Sequence, residues 1–96
     1  MKTLEAYLCS LQSRFHPATD STGSRIRVKW AYGREGASKT IPYRHELNDQ
    51  ANHTQAALAL IMETVTPEEL TRLEGYTLVS GVNPDGTVSH VFYPTP

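Results

Sequence analysis

The chain is poor in cysteine: Cys9 is the single one in 96 residues. One thiol closes no intramolecular disulfide, and without a second cysteine it builds no Cys-rich zinc site. That usage fits a reducing cytoplasm. Long apolar runs are also lacking. Glu5, Ser10 and Gln12 interrupt the N-terminal segment MKTLEAYLCSLQSRF, which therefore has no continuous apolar core of ~7–15 residues such as a secretion signal needs. No stretch approaches the ~18 apolar residues of a membrane span, so no membrane partner is expected. Neither sign of charge is in large excess, with nine Lys and Arg against ten Asp and Glu and a formal net charge of −1. A global polyelectrolyte attraction to nucleic acid or membrane is excluded. The Gly-Lys-Ser/Thr ending of a phosphate loop and the nucleophile elbow are both missing, and no cofactor motif replaces them. The expectation is a non-catalytic protein without cofactor or metal.

What is present describes one α+β domain over residues 1–96. Leu4, Leu8, Leu11 and Phe15 recur at spacings of four, three and four, with Tyr7 alongside. This predicts a helix over about 2–14, ended before Pro17 because a proline ring drives the preceding residue out of the helical region. Over residues 25–32 the even positions are apolar and the odd ones cationic up to Lys29, the period of a strand with one buried face, which points Ile26, Val28, Trp30 and Tyr32 inward. Gly33 and Gly36 supply a hairpin loop to a short return strand at 39–43, whose Pro42 demands an edge or a strand end. Asn48 or Asp49 caps a second helix through Glu63, with Ala57, Leu58, Ile61 and Val65 toward the sheet. Thr66-Pro67-Glu68-Glu69 is a capping box with proline at the first helical position, predicting a short helix over about 67–73. Asn83-Pro84-Asp85-Gly86 joins two final strands, 76–82 and 87–93. The predicted order is α-β-β-α-α-β-β, a four-stranded, mainly antiparallel sheet with helices packed on one face.

Charge is unevenly spread. Residues 14–44 hold Arg14, Arg25, Arg27, Lys29, Arg34, Lys39 and Arg44 against Asp20 and Glu35, a local +5 in a chain of net −1. As a strand, Arg25, Arg27 and Lys29 form a row with about 6–7 Å between neighbours on the face away from the helices. An outward strand face is charged for solubility in any case; the row also suits a polyanion. Trp30 and Tyr32 alternate onto the opposite face, which disfavours base stacking. The preceding loop sets Thr22 and Ser24 around Gly23, where backbone amides and Arg25 could close on a small anion, though an ordinary turn held by its own hydroxyls has the same composition. Of the histidines, His16, His45, His53 and His90, no pair has metal spacing on one element. His53 lies one helical turn before Ala57 and is expected to donate to a backbone carbonyl near the sheet, with Asn52 fastening a loop. Cys9 reads as a small core residue. The candidate binding residues are thus Thr22, Ser24, Arg25, Arg27, Lys29, Asn52 and His53.

Thr22-Gly23-Ser24-Arg25-Ile26-Arg27-Val28, then Ile41-Pro42-Tyr43, then Asn52-His53-Thr54-Gln55-Ala56-Ala57 resembles a group of small accessory proteins of tailed phages and integrated mobile elements. Their shared pattern is Gly-Ser-Arg-Ile-Lys-Ala, a short apolar strand, and Asn-His followed by alanines. The likeness spans about residues 19–62, with a fainter echo at Ser89-His90-Val91-Phe92-Tyr93; residues 2–14 and 66–74 lie outside it. The resemblance implies a viral origin and no particular chemistry. By analogy with phage proteins of this size, it implies an inhibitor that binds or sequesters a host or defence component, either a protein or a small phosphorylated ligand, in the host cytoplasm. The alternative is nucleic-acid binding through the same cationic strand. The oligomeric state is open, and a homodimer through an exposed sheet face is compatible with the pattern.

Overall fold

The computed structural model describes residues 10–32 and 37–95, apart from the side chains of Tyr32 and Pro94. The elements run β1 Ser10–His16, β2 Arg25–Tyr32, β3 Ser38–Pro42, α1 Asp49–Thr64, α2 Pro67–Leu73, β4 Tyr76–Val82 and β5 Val88–Pro94. They form one five-stranded sheet of order β3-β2-β1-β5-β4, antiparallel at every pairing.

The expected element order and strand count are both corrected, and the cause is at the N-terminal end of the described residues. Residues 10–14, assigned to an N-terminal helix, belong to a strand that occupies the centre of the sheet, so the order is β-β-β-α-α-β-β with five strands rather than four. The remainder of that expected helix, with Leu4, Tyr7, Leu8 and Cys9, lies outside the described residues. The cause is visible in the side chains. Leu11, Ser13 and Phe15 alternate onto the helix-covered face, while Gln12, Arg14 and His16 alternate onto the other. A polar Ser13 at an inward position disguises the two-residue period, and spacings of four suit a helix equally well.

The other elements follow their local signals. Asn48 caps α1 by accepting from the Ala51 amide, and Thr66 and Glu69 close the capping box of α2. Gly86, at φ +86°, provides the left-handed residue in the turn between β4 and β5. Pro42 does stand on an edge strand, β3. The inward face of α1 differs by one step from the expected stripe: Asn52, His53, Ala56, Ala57, Leu60 and Ile61 are buried, and Leu58 is exposed. Leu58 is a full 100° turn around the helix from Ala57, beyond the contact zone that the small alanines bring close to the sheet.

The core lies between α1 and the sheet, where Leu11, Ile26, Val28, Trp30, Leu60, Ile61, Val65 and Phe92 cluster, with Leu70 and Leu73 of α2 packed at its margin. Burying each large side chain contributes roughly 1.5–3 kcal/mol. Trp30 stacks on Phe92 and donates its indole N–H to Thr64 Oγ1 at 2.9 Å, which in turn donates to the Leu60 carbonyl. The opposite face of the sheet carries no helix among the described residues.

Candidate functional site

The uncovered face is where the cations gather. In the β1–β2 register, Gln12 lies opposite Lys29, Arg14 opposite Arg27 and His16 opposite Arg25. Two rows of side chains therefore run side by side, and Gln12, Arg14, His16, Arg27 and Lys29 line a shallow groove of about 300 Å³. Directly opposed residues have Cβ atoms only about 5 Å apart, and like charges at that distance destabilise a sheet. The fold tolerates an Arg–Arg pair here with no buried acid beside it among the described residues. Among the described residues the acid near Arg14 is Asp85, at 3.8 Å, and both side chains are more than half exposed, a pair worth little in water. Asp85 is already committed to Thr87: that hydroxyl and backbone amide hold its carboxyl below the usual carboxylate range and pin the turn.

The structure divides the basic residues of segment 14–44 into two groups. Lys39 pairs with Glu63 of α1 at 2.6 Å and Arg44 with Glu46 at 2.8 Å, so each has an acid in direct contact. Arg25, Arg27 and Lys29 have no ion pair among the described residues; Arg25 donates only to the Gly23 carbonyl, at 3.4 Å. Arg34 lies outside the described residues. The free cations are those of the open face.

The loop at 19–24 is arranged as a self-satisfied turn. Thr19 N–H donates to the Thr22 carbonyl at 2.7 Å, and Thr22 N–H donates back to Thr19 Oγ1 at 3.1 Å. Among the described residues no backbone position here has the positive φ that turns successive amides toward an anion. Thr22 and Ser24 flank the cationic face rather than forming a separate cradle.

Asn52 and His53 are on α1, on the other side of the sheet from the cations. Asn52 is fully engaged: its Oδ1 accepts from Arg44 N–H at 2.8 Å, and its Nδ2 donates to the carbonyls of Arg44 and Asn48 at 2.9 and 3.0 Å. It fastens the loop before α1. His53 does not donate to a backbone carbonyl, as the sequence suggested, but enters a buried network of side chains. Ser13 Oγ lies 2.7 Å from His53 Nδ1 and 2.8 Å from His90 Nε2, and His90 Nδ1 lies 2.6 Å from Ser80 Oγ. Asp49 Oδ2 is 3.8 Å from the remaining His53 nitrogen. Hydrogen counting orders the chain. A carboxylate beside His53 Nε2 favours the tautomer that carries its hydrogen there, so Nδ1 accepts from Ser13, Ser13 accepts from His90 Nε2–H, and His90 Nδ1 accepts from Ser80. Burial pushes both imidazoles down, His90 to about 4 with a further contribution from neighbouring His53, and His53 with partial opposition from Asp49. Both rings are neutral at pH 7.

Serine, histidine and acid here have the residue types of a nucleophilic triad, yet Ser13 is 0% exposed and wedged between two ring nitrogens. A substrate carbonyl has no route to its oxygen, and geometry comes first in assigning a nucleophile. No group of three or more metal-ligating side chains occurs among the described residues.

Sequence reasoning identified one row of the cationic face and missed the other, because Gln12 and Arg14 fall in the helix expected over about 2–14 and His16 in the break expected after it. It also missed Ser13 as the partner of His53, and His90 and Ser80 as the next links of the same network. A serine midway between Leu11 and Phe15 was the available signal. Compared with family models, curated proteins and solved structures, the chain matches none of them. Among the described residues no helix is long and apolar enough to cross a membrane.

Proposed function

We propose that the protein is a non-catalytic binding module whose open β1–β2 face takes a polyanionic partner. The observation that supports this reading is the Arg14–Arg27 opposition, flanked by Arg25, Lys29, Gln12 and His16, with the exposed Asp85, 3.8 Å from Arg14, as its acid among the described residues. Such a cluster costs the free fold some stability, and an anionic partner removes that cost as it binds. The groove is only partly enclosed, which admits a surface or a chain as well as a small ligand. In keeping with the phage-type resemblance of residues 19–62, the partner is an acidic surface of a host or defence protein, or a phosphorylated ligand. A second reading, nucleic acid, is supported by the extended row Arg25, Arg27, Lys29 in particular, because a strand spaces same-face residues about 6–7 Å apart along a line.

Titration calorimetry with an acidic partner captured from host lysate, with inorganic polyphosphate and with single-stranded DNA tests both readings. Engagement of Arg14, Arg25, Arg27 and Lys29 by a single strand gives a log–log salt slope of about −3, at ~0.7 per phosphate. The triple variant R14E/R27E/K29E is expected to lose binding while keeping its fold. Retained binding by that variant overturns the proposal, and a flat salt response rejects the nucleic-acid reading.

A further inference from the structure

The two edges of the sheet are finished differently. On β3, the bonds from Trp30 N–H to the Ala37 carbonyl and from Tyr43 N–H to the Ser24 carbonyl fix the pattern, so Ser38, Thr40 and Pro42 direct their backbone groups outward. Pro42 has no donor to offer there. This edge is blunted in a way that natural sheets use against edge-to-edge association.

The β4 edge has no such protection. Bonds from Thr95 N–H to the Gly75 carbonyl and from Asn83 N–H to the Thr87 carbonyl place the odd-numbered residues of β4 in hydrogen-bonded pairs with β5. Tyr76, Leu78, Ser80 and Val82 therefore aim their amides and carbonyls away from the sheet, and these backbone groups meet no partner among the described residues. Tyr76–Val82 contains no charged residue and no proline. Among the described residues, three of the seven exposed large hydrophobic ones lie on this strand, namely Tyr76 at 42%, Val79 at 46% and Val82 at 73%.

From this edge we infer that the protein forms a homodimer in which β4 pairs antiparallel with β4 of a second copy about a twofold axis at Val79. The sequence of the strand is complementary to itself in that register. Tyr76 meets Val82 of the other copy and Leu78 meets Ser80; both kinds of pair occur twice, and each exchanges two backbone bonds, eight in all. These are the residues whose outward groups lack partners. On the helix side, exposed Tyr76 covers exposed Val82, an aromatic on a β-branched side chain. On the open side, Val79 meets its own copy across the axis, and Thr77 meets Gly81, where a Cβ built on the glycine itself would have nothing within 4 Å. A second copy fits better than a charged partner because the edge offers neither sign of charge, and like residues face each other without repulsion. The axis stands perpendicular to the sheet, so the open faces of both copies join on one side, with their β1 strands about 24 Å apart at ~4.8 Å per strand. The inference rests on the β4 edge and is independent of the polyanion reading.

Sedimentation equilibrium up to about 100 µM, a range suited to a small interface, is expected to show a monomer–dimer equilibrium. V79K places like charges face to face on the axis and is expected to weaken the dimer at least tenfold, and V79E likewise, each keeping the wild-type circular dichroism. Mixing V79K with V79E is expected to restore a heterodimer, which a folding defect cannot explain. T40K on the β3 edge leaves the equilibrium unchanged. A wild-type chain that stays monomeric, or that forms open-ended larger species, overturns the inference. So does a V79K variant that dimerises as the wild type does, or a mixture of the two variants that stays monomeric.

Discussion

The two faces of the sheet treat polar side chains in opposite ways, and adjacent residues of β1 show it best. Ser13 points toward α1 and has both hydrogen-bonding capacities filled by His53 and His90. Arg14, one residue on, points to the open side, opposite another arginine and with only a weak, solvent-exposed acid nearby. Inside, an unpaired polar atom costs about 1–3 kcal/mol, and no buried side-chain polar atom among the described residues is left without a partner. Outside, water screens charge, and an unfavourable arrangement survives at small cost. The lesson is that satisfied polarity marks the scaffold here, and unpaired charge collects where water can reach it.

The contrast can be broken most forcefully from the inside. Ser13→Ala leaves His53 Nδ1 and His90 Nε2 without their shared hydroxyl and is expected to cost about 2–4 kcal/mol in urea denaturation, with polyanion affinity unchanged. An unaltered midpoint would show the network to be dispensable.

Acid acts on the same network. His90 is held at about 4, below an ordinary histidine at 6.5. Above pH 6.5 both folded and unfolded chains carry it neutral; as pH falls below 6.5 the unfolded chain takes up a proton that the folded chain refuses. Stability therefore decreases from pH 6.5 down to about pH 4 and the loss from this group then levels off, approaching about 3 kcal/mol. His53 adds to it in the same direction. Denaturation midpoints measured from pH 7 to pH 4 check this, and the slope in that window should flatten in a His90→Gln variant.

The turn between β4 and β5 sharpens the comparison from the scaffold side. Gly86→Ala forces a Cβ into a left-handed backbone with open space around it, so only the conformational cost of about 1–2 kcal/mol is expected, read as a lower thermal midpoint.

The smallest expected effect is the most discriminating. Arg14→Gln removes one member of the like-charge pair, so the fold should gain a few tenths of a kcal/mol, up to about 1, while affinity for a polyanion falls. Opposite signs for stability and binding are the signature of a face kept for a partner; a loss of both would make Arg14 part of the scaffold.

Much of the fold was readable from local pattern. Thr66 through Glu69 specify the start of α2 by capping chemistry alone, and Arg25 to Trp30 declare a strand by strict alternation. The candidate site was half readable for the same reason: alternation puts Arg25, Arg27 and Lys29 on one side. Its other half was not, since Leu11-Gln12-Ser13-Arg14-Phe15 satisfies a helical spacing as well as an extended one.

By itself, the sequence determined those features in which neighbours along the chain settle the energy: helix caps, the proline-blunted edge, the Asn-Pro-Asp-Gly turn and the cationic side of β2. Tertiary structure alone decided that residues 10–16 are extended and central. Ser13 can face inward only because His53, 40 residues away, and His90, 77 residues away, supply its hydrogen bonds. Local propensity cannot anticipate partners so distant, and their arrival sets Arg14 beside Arg27 on the opposite face.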